Sequence, residues 1–324
     1  MTDAAEHISV PEPVPSVPEP VPSVPEQRSP VPEQRSPVPE QRSPVPEPVE
    51  GLRAEALAWG RKPRRSGSLY VAEHMVRAMR AYGWTIIIGA LGQPILYLLG
   101  LAVGLASLIR GELTDAWGGS VGYLTFVAPA LLMTAGIQVA SEEFSYPVMD
   151  GFKWRRFYYG FSASPIAPAQ IASGVVIGAS ARVLTAVGGY FLFLTLFQAV
   201  PHAGTGWLAI PVGILASLAF GMPLLAYAAS ITTDSGQFAL VQRFVFMPMF
   251  LFSGTFYPLT ALPIWLQWIG WISPLWHATE LGRVVTYGSH EPVWLTVVHV
   301  AYLAVLALTG YLLARRRFER RLGE

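Results

Sequence analysis

The sequence has no cysteine and little charge: Lys, Arg, Asp and Glu make up 13% of its 324 residues, against about 25% in ordinary soluble domains. The missing cysteine excludes disulfides and thiolate–metal sites and leaves the redox compartment open. No GxxxxGK[ST] stretch occurs, so the chain lacks the glycine-rich cradle with which a P-loop holds nucleotide phosphates. Neither HExxH nor any His/Asp/Glu grouping with metal-ligand spacing is present. These absences weigh against an autonomous ATPase or metalloprotease. The net charge of +1 gives no sign of nucleic-acid binding, because the positive residues alternate with apolar runs and form no stripe.

What the chain has in abundance is apolar surface, at 52% hydrophobic residues. Residues 1–66 hold 8 Lys/Arg and 10 Asp/Glu, leaving 14 and 11 for the 258 residues from Gly67 onward. A soluble fold cannot hide that much apolar surface, so the pattern predicts a polytopic membrane protein. Six candidate spans follow, at about 84–108, 120–141, 170–199, 207–230, 238–257 and 292–313, each long enough for a hydrocarbon core of ~30 Å. Positive residues cluster before the first span (Arg61, Lys62, Arg64, Arg65, Arg77, Arg80), in the loop 142–169 (Lys153, Arg155, Arg156), at Arg243, and after the sixth span (Arg315, Arg316, Arg317, Arg320, Arg321). The intervening loops are poor in them. The positive-inside rule then puts both termini in the cytoplasm of a cell membrane, inner or cytoplasmic. Trp84 marks the inner end of the first span, and Trp117, Trp207 and Trp294 stand beside outer ends, where indoles partition to the headgroup layer.

The N-terminal 66 residues have a different character. From Val10 the sequence runs VPEPVPS twice, VPEQRSP three times and VPEPVEG once, a period of seven. At least two prolines per unit rule out a coiled coil, since proline lacks the donor a helix interior needs. A disordered, polyproline-rich arm over 1–66 is expected, a tether or a docking site for a proline-reading partner. It lacks the apolar core of a secretory signal. Residues 69–82 suggest a short amphipathic helix on the inner leaflet. Two GxxxG pairs, Gly100/Gly104 and Gly174/Gly178, predict close helix contacts within the chain or at a dimer seam. Kinks are expected at Pro94, Pro211, Pro223 and Pro248.

Three places can carry function. Arg182 is the one ionisable residue deep inside a span; it either pairs locally or lines a substrate path. The segment 253–283, SGTFYPLTALPIWLQWIGWISPLWHATELGR, is too apolar for a solvated loop and too interrupted by proline for a span. Two short helices dipping into the outer leaflet fit it. In it Ser253, Gly254, Phe256, Tyr257, His277 and Glu280 are candidates for a substrate path or gate, and His277, Glu280 and Arg283 share one helical strip as a salt-bridged cap or a headgroup contact. Ser253-Gly254 with His299 also matches an intramembrane serine-protease dyad, although a helical histidine more often makes a structural hydrogen bond. The third place is the loop 142–169, whose Phe152, Lys153, Trp154, Arg155 and Arg156 suit a short helix docking on another protein or an interfacial anchor.

The stretch FLFSGTFYPLTALPIWLQWIGWISPLWHATELGR, with QPILYLLGLAVG and GYLTFVAPALLMTAGIQVASEEF, resembles the ABC-2 type transporter permeases, in the branch of nodulation-factor and daunorubicin-type exporters. The resemblance covers about 69–318 and excludes the proline repeat. It implies a permease domain over 67–324, an all-α membrane protein with six transmembrane helices and a re-entrant outer segment between the fifth and sixth. It implies a homo- or heterodimer of permeases among membrane lipids, a separate ATP-binding subunit carrying ATP and Mg, and no cofactor or catalytic residue in this chain. It also implies a coupling helix near Met149–Phe157, with Lys153, Trp154, Arg155 and Arg156 at its centre; some relatives are acidic there, whereas this loop is basic. The expected function is export of an amphipathic substrate: a lipid-linked saccharide, a drug or a lipid. A secondary, ion-coupled carrier is the alternative, opposed by the lack of acidic residues within the spans.

Overall fold

The computed structural model describes residues 55, 57–100, 104 and 112–323, and Glu50–Glu324 forms one compact unit. The proline repeat at 10–50 lies outside the described residues, as does most of the first expected span beyond Gly100. The described chain is mostly helical. The helices are α1 Arg61–Arg80, α2 Gly83–Leu99, α3 Tyr123–Glu143, α4 Tyr146–Met149, α5 Phe157–Ser162, α6 Pro168–Leu196, α7 Ala203–Gly206, α8 Ala209–Ser230, α9 Gln237–Val241, α10 Met247–Phe252, α11 Ile264–Trp271, α12 Pro274–Tyr287 and α13 Val293–Gly323. Two π-helical turns, Asp150–Trp154 and Gln242–Phe246, follow α4 and α9.

By length and composition, four stretches among the described residues can cross a membrane: those containing α3, α6 and α8, and α13 itself. Gln237–Phe252 is apolar but shorter. Pro211 is the third residue of α8, a first-turn position where the missing donor costs little, whereas Pro248 lies inside the continuous helical run 237–252. Just upstream of Pro248 the helix widens into the π-turn Gln242–Phe246. Only Pro223 occupies the interior of α8.

The core is built around α8, which packs most extensively on α13 and also against α3, α12 and α6. Close approach is set by glycine. A Cβ on Gly310 of α13 would lie 2.5 Å from both Cδ and N of Pro223, so no other residue fits without parting the two helices. Gly310→Val is therefore expected to destabilise the fold by about 1–3 kcal/mol, the usual cost of overpacking. Thermal unfolding in detergent checks this, and an unchanged midpoint would refute the close-approach argument.

The stretch from 61 belongs to this fold rather than to an arm. Helix α1 begins at Arg61, with non-helical geometry at Ser66, and its Val71 and Ala72 are buried. It lies on α6 over the second GxxxG: a Cβ on Gly174 would come 2.5 Å from Val71 Cβ, and one on Gly178 2.9 Å from Met75 Cβ. That motif thus seats the amphipathic helix within the same chain. Between α2 and α3 lies a two-stranded antiparallel ribbon, Leu113–Thr114 with Ser120–Val121. Its turn is closed by Asp115 Oδ1, which accepts from the Trp117 and Gly119 amides at 2.9 and 2.7 Å, and by Gly118 at φ +83°.

Candidate functional site

The loop after α3 is a compact helix–π-turn–helix hairpin. Phe152 faces inward at 2% exposure, edge-on to Tyr158 and Phe318, both at 4.8 Å between ring centroids. The guanidinium of Arg321 covers the Phe152 ring at 4.1 Å, and its Nη1 donates to the Ala229 and Ile231 carbonyls at 2.9 and 2.8 Å. One cation thereby caps the carbonyl end of α8 and grips the hairpin. Lys153, Trp154, Arg155 and Arg156 face the opposite way and are exposed. Trp154 stacks on Tyr146 at 6.4 Å and Arg155 pairs with Asp150 at 3.1 Å. Arg156 takes a left-handed conformation, φ 56°, which turns the chain from the π-turn into α5. Burial raises the pKa of Tyr158, with the Glu143 and Asp150 charges adding to the effect; its phenol stays neutral. Of the five residues expected to meet a partner, four form one exposed face, and Phe152 is their internal anchor.

Arg182 is paired. Its Nη1 contacts Glu143 Oε1 and its Nη2 meets Glu142 Oε2 at 2.9 Å, both at the end of α3. From there a polar chain runs on: Gln138 Nε2 donates to Glu142 Oε1 at 3.3 Å, and Gln242 Nε2 to Gln138 Oε1 at 3.1 Å. Gln138, Ser141, Glu142, Tyr146, Phe238 and Gln242 line a pocket of about 320 Å³ beside the second π-turn. The acidic pair at 142–143 was the available signal for Arg182's partners. Arg321 gave only its charge away.

Two of the outer candidates, Glu280 and Gly254, meet at one buried cation. Arg283, 1% exposed, donates from Nη1 to Glu280 Oε1 at 2.7 Å and from Nη2 to the Gly254 carbonyl at 2.6 Å, with its guanidinium 3.7 Å above the Phe126 ring. Gly254 adopts φ +72°, a conformation glycine reaches without steric cost. Ser253 donates to Ser273 Oγ at 2.6 Å, and Tyr257 to the Leu251 carbonyl at 2.9 Å. Phe256 packs edge-on against Phe250. His277 lies elsewhere on α12: its Nε2 is 3.0 Å from the Trp271 carbonyl and its Nδ1 2.6 Å from His299 Nδ1. Burial, and then the neighbouring His299, lower its pKa to about 4. Ser253 and His299, the pair a serine hydrolase would need, thus bond to different partners. Among the described residues no group of three or more His, Asp or Glu is arranged to hold a metal ion.

The fold is thus an apolar helical scaffold with an exposed basic–aromatic loop after α3 and a tryptophan-rich helical hairpin before its last long helix. The family model for ABC-2 type transporters matches residues 75–287. The chain belongs to the ABC-2 type transporter family. Nodulation protein J of Rhizobium leguminosarum bv. viciae is 26% identical over 245 residues, which cover 73% of this chain and 87% of that protein. The inner membrane transport permease YadH of Escherichia coli K12 is 26% identical over 258 residues, 78% of this chain and 94% of the relative. The ABC transporter G family member 20 of Dictyostelium discoideum is 28% identical over 205 residues, covering 57% of this chain and 27% of its own length. As an ABC-2 family member, the chain is a multi-pass membrane protein and the permease component of an ABC transporter, a family that works with an ATP-binding subunit.

Proposed function

We propose that this permease exports an amphipathic substrate, driven by ATP hydrolysed with Mg on a separate subunit. The observation that carries the reading is the loop 146–162: an exposed Lys153–Trp154–Arg155–Arg156 face whose reverse side is locked to α8 and α13 through Phe152, Phe318 and Arg321. A docking surface tied rigidly to two long helices can pass a partner's movement to them. In this reading the spans number six: α2 with the residues after it, α3, α6, α8, the helix 237–252 and α13. Both termini lie in the cytoplasm of the inner or cytoplasmic membrane. The outer hairpin α11–α12 is re-entrant and gates the exit.

The Arg182 pairing sets the depth of the inner boundary. Glu142 and Glu143 end α3, so the first three turns of α6, with α1 across Gly174 and Gly178, lie at the inner headgroup level. Arg182 and the pocket beside Gln138 and Gln242 then receive the polar part of the substrate. Ser253, Gly254, Phe256, Tyr257 and Glu280, with Arg283, hold the gate in shape, and His277 ties it to α13 through His299. Two permeases, identical or different, enclose the path. The YadH relative is an inner membrane transport permease, which favours transport; the substrate class stays at lipid-linked saccharide, drug or lipid.

Mild-detergent purification of the chain from its native membrane, with crosslinking and mass spectrometry, tests this. A P-loop ATPase at near-equal stoichiometry is the expected result. Transport that survives ATP depletion but collapses with an uncoupler would overturn it in favour of an ion-coupled carrier.

A further inference from the structure

The proton count around His277 does not close with neutral imidazoles and an ionised carboxylate. The Trp271 carbonyl can only accept, so His277 Nε2 carries a hydrogen and donates at 3.0 Å. The 2.6 Å contact between His277 Nδ1 and His299 Nδ1 holds a second hydrogen. Two imidazoles have then spent both of their neutral-state protons. His299 Nε2 faces Glu291 Oε2 at 3.4 Å, both side chains having no exposed surface. These two atoms are buried without a hydrogen-bond partner, while Glu291 Oε1 accepts from Thr296 Oγ1 at 2.7 Å. Two bare acceptors 3.4 Å apart, one of them charged, are costly in a buried site.

We infer that His277, His299 and Glu291 form a proton-binding site that holds one proton between His299 Nε2 and Glu291 Oε2 and clamps the outer hairpin to the last helix. With the third proton the cluster is electroneutral and every polar atom is satisfied, whether the proton rests on the imidazole or on the carboxyl. The lowered His277 pKa agrees, because it leaves His277 neutral. The linkage is mechanical as well as electrical. It joins α11 through Trp271, α12 through His277, the connection through Glu291 and α13 through His299. Tyr302 of α13 stacks on His277 at 4.0 Å and donates to the Ile272 carbonyl at 2.6 Å, and Trp276 packs edge-on to both imidazoles. The titratable groups facing His277 are therefore His299, Glu291 and Tyr302.

Acid works against the clamp. A fourth proton must enter His277, whose pKa is about 4 when folded and 6.5 when free. The unclamped state binds more protons between those values, so stability of the hairpin falls as pH drops from about 6.5 towards 4.

Solid-state NMR of the full chain in lipid bilayers, with 15N-histidine and 13C-carboxyl glutamate labels, tests the site. The expected result at pH 7 is an Nδ1–H···Nδ1 correlation between two imidazoles, plus one further proton on the Nε2 or carboxyl side of that pair. Two singly protonated imidazoles beside an ionised carboxylate would overturn the proposal, and this wild-type spectrum decides it without any variant. Glu291→Gln, whose amide can donate to His299 Nε2, should keep the imidazole correlation and lose the extra proton. Persistence of that proton would overturn the assignment to Glu291. Hydrogen exchange of 264–287 should rise roughly tenfold in Glu291→Ala and much less in Glu291→Gln, since the first opens the clamp locally; equal exchange in both would remove the clamp.

Discussion

Replacing Arg283 by alanine is expected to destabilise the permease by about 3–5 kcal/mol, the range for breaking one partner of a buried ion pair. The magnitude follows from what is left behind. Glu280, 3% exposed, would lose its 2.7 Å partner and remain as an uncompensated buried carboxylate. The Gly254 carbonyl would lose its 2.6 Å donor and the Phe126 ring the cation 3.7 Å above it. Since Gly254 opens the outer segment and Phe126 belongs to α3, one side chain holds three parts of the outer face together. The companion substitutions sort pairing from shape. Glu280→Gln retains an acceptor for Arg283 and should cost less, while Arg283→Met with Glu280→Gln removes both charges and should recover more than half of the alanine loss. Thermal unfolding of the three variants and the parent protein in detergent gives the comparison. A loss below about 1 kcal/mol for Arg283→Ala, the level of a surface pair, would mean that water reaches Glu280 and that the buried-pair account is wrong.

The long apolar runs and the basic clusters were legible because they depend on composition, which the bilayer reads directly. What escaped was set by packing between distant segments. The start of the fold at Arg61 hid inside a polar stretch, because what orders α1 is the pair of glycines at 174 and 178 more than a hundred residues away. The ribbon at 113–121 is too short for an alternating pattern, and only Asp115 with Gly118 hinted at it. Arg182 stood out as a buried charge, yet its role depends on Glu142 and Glu143, which a linear reading had treated as loop residues. His299 carried a signal too, as the only histidine within the last span, but its partners His277 and Glu291 lie on separate elements. The loop 142–169 declared its aromatic and basic content, while the inward turn of Phe152 depends on Phe318 and Arg321 at the far end of the chain.

Replacing Trp154 and Arg155 together by alanine is expected to abolish ATP-driven export while leaving membrane insertion and folding intact. Both side chains point away from the fold, Trp154 at 50% exposure and the Arg155 side chain at 73%, so their removal opens no cavity. Trp and Arg at the centre of an interface commonly contribute about 2 kcal/mol or more each, hence a loss in partner affinity of roughly 30-fold or greater per residue. Arg156→Gly refines the test: it deletes a neighbouring charge and relieves the left-handed backbone at φ 56°, so any loss of coupling cannot be ascribed to a damaged turn. Phe152→Ala makes the contrast. It empties the space between Tyr158, Phe318 and the Arg321 guanidinium, and should cost about 3–5 kcal/mol of stability as other buried Phe truncations do. Export would then fail through loss of the link to α8 and α13 rather than through loss of docking, and the ATPase should still be captured by any folded fraction. Export, ATPase co-purification and unfolding temperature measured in parallel separate the two outcomes. Unchanged export in the Trp154/Arg155 variant would remove the loop from the transmission path and leave the basic end of α13 as the next surface to examine.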